Sequence, residues 1–319
     1  MILSPEVLTI LILDTIFLLF ASIAFILSIK IFFRWDINAT TPEQYRLEKQ
    51  SFLTATIVKY IFAIKLPLFL FFVFTLDKIS SQLTGAMCAA GVVDATAYGN
   101  YLLILKVINL YLFGLWLSLH YLDMRRVDLP YTRLKFEFFI IAFLFLVGEI
   151  VIEGLMFADI DISKMVSCCG TLYSTASTSS MGEILSIPTP ILLSFFYGSF
   201  GLMLAAFWLR VKYFFALSNI IFIVIALVSL IALFGTYIYE LPTHHCPFCF
   251  LQGDYYYVGY LIYTFLFIGT FYGIRSGVME MLGEESWGSY RISLVFNSLY
   301  VVLVSAYPVV YFVRNGVWL

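Results

Sequence analysis

Val7 to Phe33 reads VLTILILDTIFLLFASIAFILSIKIFF, and its only charged residues are Asp14 and Lys30. A helix needs about 20 mostly apolar residues to cross the hydrocarbon core of a bilayer, and this run exceeds that length. It is far longer than the apolar core of a signal peptide, about 7–15 residues. Met1–Glu6 ahead of it supplies no Lys or Arg, so the segment reads as an uncleaved span. Working outward, the same test is met by Ser51–Thr75, Tyr101–Tyr121, Phe136–Phe157, Pro188–Leu209, Tyr213–Tyr237, Tyr256–Tyr272 and Ile292–Phe312. Of 319 residues, 62% are hydrophobic, 19% aromatic and only 12% charged, which is not the composition of a water-soluble fold. The expected fold is all-α: a polytopic transmembrane helical bundle of about eight spans, with residues 1–319 forming a single integral membrane domain.

The charges orient this bundle. One set of connecting segments holds Arg34, Arg46, Lys49, Arg125, Arg126, Arg133, Lys135, Arg210, Lys212, Arg275 and Arg291; the opposite set with the termini holds only Lys78, Lys164 and Arg314. Because basic loops stay inside, both termini are expected outside, in a multi-pass protein of the cell inner membrane. Outer loops 77–100, 158–187 and 239–255 then form a cap. Ser80–Asn100 and Ser167–Glu183 are rich in Ser, Thr, Gly and Ala, which suits irregular backbone rather than helix. Pro188 and Pro190 fall in the first turn of the fifth span, where a missing N–H costs little. Gly198 and Gly201 are expected to let that helix pack closely on a neighbour.

With 18 Lys+Arg against 20 Asp+Glu and no basic run, the partner is the lipid bilayer and not nucleic acid. Neither a phosphate-binding Gly-x-x-x-x-Gly-Lys-[Ser/Thr] loop nor a Ser/His/Asp hydrolase motif occurs. Repeated halves and interrupted helices, the signs of a transporter, are not evident in the sequence.

All five cysteines fall in the expected outer loops: Cys88, the adjacent Cys168 and Cys169, and Cys246 with Cys249 in His244-His245-Cys246-Pro247-Phe248-Cys249. Those loops and termini are about a quarter of the chain, so chance would place all five there roughly once in a thousand chains. Outside a bacterial-type inner membrane, cysteines are bridged, metal-bound or redox-active. An odd number leaves one thiol over if every bridge is intramolecular, and adjacent Cys168 and Cys169 would strain a bridge between themselves.

Cys246-x-x-Cys249 suits thiol–disulfide exchange, in which one thiolate attacks a disulfide and the second resolves the intermediate. His244 and His245 are placed to supply, when protonated, the positive charge that lowers a thiol's pKa. The Cys-Pro-Phe-Cys turn resembles the Cys-Pro-aromatic-Cys centres of thioredoxin-like oxidoreductases over those four residues alone. The layout as a whole is similar to membrane disulfide-generating enzymes of the DsbB and vitamin-K-epoxide-reductase type. They place a Cys-x-x-Cys at the outer end of a transmembrane helix and further cysteines in an outer loop, and they pass electrons to a quinone. This chain departs from them in having eight spans instead of a four-helix core and an odd cysteine count.

That resemblance implies a membrane thiol–disulfide oxidoreductase with quinone as cofactor and a periplasmic thiol-disulfide protein as partner. Cys246 and Cys249 would be the exchanging pair, and Cys168, Cys169 and Cys88 the shuttle or partner-facing bridge. The same outer Cys/His cluster also suits a metal, with His244, His245, Cys246 and Cys249 as ligands for copper, zinc or iron and a metal-carrier protein as partner. A third reading is a transporter or assembly subunit whose disulfides only staple its loops.

Charges at membrane depth are functional candidates. Glu149 and Glu153 share one helix face at a spacing of four. With Asp14, Lys65 and Lys106 they form either a charge-neutralising contact between helices or a proton path and quinone headgroup site. Tyr255, Tyr256, Tyr257 and Tyr260 read as an interfacial belt, with Tyr257 or Tyr260 the candidates for lining a quinone pocket. His120 is expected at the inner interface, and no haem is expected because no second span supplies an axial partner.

Overall fold

The computed structural model describes residues 3–36, 39–161, 165–166 and 187–319, and every regular element among them is helical. The helices are α1 (Pro5–Arg34), α2 (Pro42–Ser80), α3 (Ala89–Asp94), α4 (Gly99–Asp123), α5 (Thr132–Asp159), α6 (Thr189–Trp208), α7 (Lys212–Tyr239), α8 (Val258–Met281) and α9 (Trp287–Asn315). Eight of them, all but α3, are long and apolar enough to cross a membrane, so the chain is a multi-pass membrane protein. Large apolar side chains such as Leu19, Ile26, Leu144 and Val224 stand exposed along these helices, as contact with lipid requires.

Several helices outrun their apolar cores. The helix α2 starts at Pro42, capped by Thr41, whose side chain accepts from the Gln44 N–H at 3.3 Å; Arg46 and Lys49 are therefore helical. Arg275 and Arg291 likewise lie on α8 and α9 rather than in a connection. Within Ser80–Asn100, where irregular backbone was expected, Ala89–Asp94 forms a short helix, since two alanines favour one turn. Pro188 and Pro190 do sit at the start of α6, as cap and in the first turn. Gly198 and Gly201, in contrast, have nothing among the described residues within 4 Å of where a Cβ would be, so they pack closely against none of those. That part is taken by Gly269, Gly273 and Gly277 of α8, spaced by four on one face, where a Cβ would stand 2.2–2.5 Å from Asn297, Asn219 and Ala216 respectively.

The chain forms two compact units. Unit 1 comprises residues 1–84 and 92–165, with α1, α2, α4 and α5 packed as a ring in which α1 meets α2 and α5, and α4 meets the same two. Its core is aromatic: Phe62 stacks on Phe113 at 4.2 Å and meets Trp116 edge-on at 5.4 Å. Below these rings the α4–α5 hairpin is closed by Asp123, which accepts from the Tyr131 N–H at 2.9 Å, the Thr132 hydroxyl at 3.0 Å and Lys135 Nζ at 2.5 Å.

Unit 2 comprises residues 85–91 and 166–319 and carries α6, α7, α8 and α9. Here α7 packs on α6 and α8, and α8 on α9. A buried polar knot ties α9 to α7 and α6: Asn297 Nδ2 donates to Asn219 Oδ1 at 2.9 Å and meets Met203 Sδ at 3.3 Å, and the Ser293 hydroxyl donates to the same Asn219 oxygen at 3.2 Å. Near its end α7 passes through a π-helical turn, Leu230–Phe234, before its last residues Gly235–Tyr239.

Candidate functional site

Unit 2 builds a cysteine site from two short segments. Glu240 adopts a left-handed conformation (φ 54°) that ends α7 and turns the chain back, with the Leu241 N–H donating to the Thr236 carbonyl at 3.0 Å. The following residues close into a tight turn. Tyr239 anchors it: its hydroxyl donates to the Cys246 carbonyl and accepts from the Phe250 N–H at 3.1 Å. Tyr263 of α8 donates to the Pro247 carbonyl at 2.8 Å. Gly259, at the start of α8, lies where a Cβ would collide with the Phe250 ring at 2.4 Å, so the turn seats directly on the helix.

The second segment carries Cys88. It enters through Gly85, whose φ of +95° suits glycine and whose Cα approaches the Val166 carbonyl closely enough to exclude a Cβ. Gln252 Nε2 donates to the Met87 carbonyl at 3.2 Å and so joins the two segments next to the sulfurs.

Cys88, Cys246 and Cys249 are all buried, and their Sγ atoms lie within 4.8 Å of one another. Cys88 Sγ and Cys246 Sγ are 3.5 Å apart, a thiol contact rather than the bond of about 2.05 Å that a disulfide forms. The Phe248 N–H donates to Cys246 Sγ at 3.5 Å. Cys168 and Cys169 lie outside the described residues.

The histidines stand beside this cluster and not in it. Among the described residues, the ligand-capable atoms that converge are the three sulfurs alone, so the set suited to a metal is Cys88, Cys246 and Cys249, without His244 or His245. His244 packs edge-on against Tyr239 at 4.4 Å. Burial, with His245 beside it, holds its imidazole below the usual histidine range against the pull of Cys88, which disfavours the cationic form expected from sequence. His245 turns its Nδ1 to the Ile231 carbonyl in the π-helical turn at 3.2 Å. Tyr257 is exposed, adopts φ 56° and lies against Gly253. The rings placed around the turn are those of Tyr239, Tyr255 and Phe250, with Tyr255 4.8 Å and Phe250 5.9 Å from Tyr239. Burial, with Cys249 nearby, pushes the Tyr255 phenol up. The π period in α7 is the feature that no residue spacing announced, and Tyr239 was hidden among twenty-two tyrosines.

Unit 1 gathers all five of the intramembrane charges singled out from sequence. Lys65 Nζ lies 2.6 Å from Asp14 Oδ1 and 3.1 Å from Glu149 Oε1; Lys106 Nζ lies 2.8 Å from the same Glu149 oxygen and 2.7 Å from Glu153 Oε2. Asn109 joins them, donating to Glu149 Oε2 at 2.5 Å. Its place one turn after Lys106 on α4 is legible in the sequence, but an uncharged amide is not picked out by charge alone. Comparison of the chain with protein-family models, with curated proteins and with solved structures finds no match. Its chemistry is therefore argued from these side chains.

Proposed function

We propose that the chain is a membrane thiol–disulfide oxidoreductase whose centre is Cys88, Cys246 and Cys249. The observation that carries this reading is the 3.5 Å separation of Cys88 Sγ and Cys246 Sγ, with Cys249 Sγ within 4.8 Å. Three thiols at such distances can exchange a disulfide: with Cys246 and Cys249 bridged, the Cys88 thiolate attacks Cys246 Sγ, a Cys88–Cys246 bond forms, and Cys249 leaves as thiolate. Net oxidation of two thiols releases two electrons and two protons, and a membrane quinone taking both becomes the quinol. Burial shields the three sulfurs from soluble thiols, so exchange with a periplasmic thiol-disulfide protein falls to Cys168 and Cys169. This reading puts the cysteine loops on the outer face of a cell inner membrane, as the distribution of basic residues favours.

A second reading is favoured by the same triangle. Sulfurs around a tetrahedral zinc at about 2.3 Å stand about 3.8 Å apart, close to the spacing here, and three thiolates also suit copper(I). Cys88, Cys246 and Cys249 would hold such an ion.

One preparation separates the two. The full chain in lipid nanodiscs, purified without affinity-tag metals, is incubated with a short-chain quinone, and its thiols are counted by alkylation and mass spectrometry. The oxidoreductase reading expects loss of two thiols per quinol formed, and loss of that reaction in Cys246→Ser. An unchanged thiol count overturns it. Stoichiometric copper, zinc or iron that disappears in Cys88→Ser would establish the metal reading instead.

A further inference from the structure

Among its described side chains, unit 1 contains a charge imbalance that no neighbour resolves. Asp14 on α1, Glu149 and Glu153 on α5 supply three carboxyls; Lys65 on α2 and Lys106 on α4 supply two ammoniums. All five are buried, Glu153 completely and Asp14 at 1% exposure. Among the described residues these are the charged groups that face the cluster from the four packed helices; the Asn109 amide and the Phe72 ring, 4.3 Å from Lys106 Nζ, also adjoin it. If all five were ionised, the cluster would carry one uncompensated negative charge at membrane depth, where such a charge is strongly disfavoured.

The hydrogen bonds locate the deficit. Glu149 is saturated: it receives Lys65, Lys106 and Asn109. Glu153 accepts a hydrogen bond from Lys106 through Oε2 and leaves Oε1 buried without a donor, whereas Asp14 lies 2.6 Å from Lys65 Nζ as an ion pair but neither of its buried oxygens accepts a hydrogen bond among the described residues. These two ends, on either side of a Lys65–Glu149–Lys106 bridge, are the places for the single missing proton. A small cleft lies on the Lys65–Glu149–Lys106 side of the cluster, lined by those residues and Asn109 together with Leu68, Phe69, Leu110 and Phe113.

We propose that this cluster is a proton-binding site, holding one exchangeable proton on Asp14 or Glu153. It is a site for proton transfer within the membrane, and it stands independently of the chemistry assigned to the cysteines. When the proton sits on Asp14, Lys65 is balanced by Glu149 and Lys106 by Glu153; when it sits on Glu153, Lys106 turns to Glu149 and Lys65 to Asp14. Either state is neutral. Moving the proton between them shifts charge from α1 to α5.

The test is infrared difference spectroscopy of the full chain in lipid nanodiscs at about pH 8, where exposed carboxyls are ionised. The wild type is expected to show one protonated-carboxyl stretching band that shifts in deuterium oxide. Asp14→Asn and Glu153→Gln each restore neutrality without a proton and should both lose the band. Lys106→Met raises the deficit and should show two bands, an outcome that a merely structural ion-pair network does not give. A wild type without the band overturns the proposal even if no variant folds. So does a band that survives both neutral substitutions, or one that emerges only when sodium is replaced by choline, since a metal cation would then fill the place. None of these outcomes bears on the thiol count that tests the cysteine centre.

Discussion

The backbone of Gly273 in α8 lies so close to the Asn219 carboxamide of α7 that a Cβ would stand 2.2 Å from Asn219 Cγ. That carboxamide cannot step aside without loss, because its oxygen accepts from Asn297 and Ser293 and its nitrogen donates to the Phe215 carbonyl. Gly273→Ala is therefore expected to destabilise unit 2 by roughly 1–3 kcal/mol through overpacking. Gly198→Ala provides the contrast: none of the described residues lies within 4 Å of its Cβ position, so the change should be neutral or, by raising helix propensity, slightly stabilising. Thermal unfolding in detergent compares the two, and equal midpoints would contradict the account of close packing.

The same pair of glycines marks where sequence stops being sufficient. Length and apolarity located all eight spans, because crossing a bilayer constrains each segment by itself. Which face of a span meets a neighbour is a tertiary fact: Gly198 and Gly273 look alike in sequence, and only the latter faces a partner. The intramembrane charges were legible for a physical reason, since an ion buried in lipid must find a counter-ion and five isolated ones had few alternatives. Their geometry was not, and neither was the approach of Cys88 to Cys246 and Cys249. Helical periodicity gives no access to loops, so the turn that brings Cys88 to Cys246 had no counterpart in the sequence pattern.

Tyr239 should govern access to the thiols. Its hydroxyl links the Cys246 carbonyl to the Phe250 N–H across the turn, and Tyr239→Phe removes that bridge while keeping the ring. Loss of two buried hydrogen bonds costs about 1–3 kcal/mol. The expected result is a several-fold faster alkylation of Cys246 and Cys249 by a membrane-permeant maleimide, at nearly unchanged helix content. An unaltered alkylation rate would mean that the turn is held by its other contacts.

Acid should loosen the same region through His244. Burial keeps its folded-state pKa below the ordinary value of 6.5, so the unfolded chain takes up a proton first as pH falls. The unfolded state then binds more protons than the native one, and stability decreases from about pH 6.5 downward until the folded imidazole also protonates. His244→Gln lacks that titration. The difference in unfolding midpoint between wild type and variant should therefore narrow or reverse on going from pH 8 to pH 5.5, with the wild type losing more. A wild type that gains on acidification relative to the variant would place a carboxylate partner at His244 that the structure does not contain.

Asp123 and Lys135 form an ion pair whose two members should not be equally important. Both are buried, with Nζ and Oδ2 2.5 Å apart. Removing Asp123 leaves a buried ammonium without its carboxylate, and at the same time strips the Tyr131 N–H and the Thr132 hydroxyl of their acceptor at the start of α5. Removing Lys135 leaves Asp123 with both of those donors, which solvate its charge in part. Breaking a buried pair costs about 3–5 kcal/mol when the surviving charge is uncompensated, and the hydrogen bonds to Asp123 should bring the Lys135→Met loss well below that of Asp123→Ala. The double variant should fall between the singles rather than at their sum, because replacing both charges removes the orphan as well as the attraction. Unfolding of the three variants in one detergent decides the matter; a larger loss for Lys135→Met would show that the hairpin is held by the lysine's charge and not by the cap that Asp123 makes.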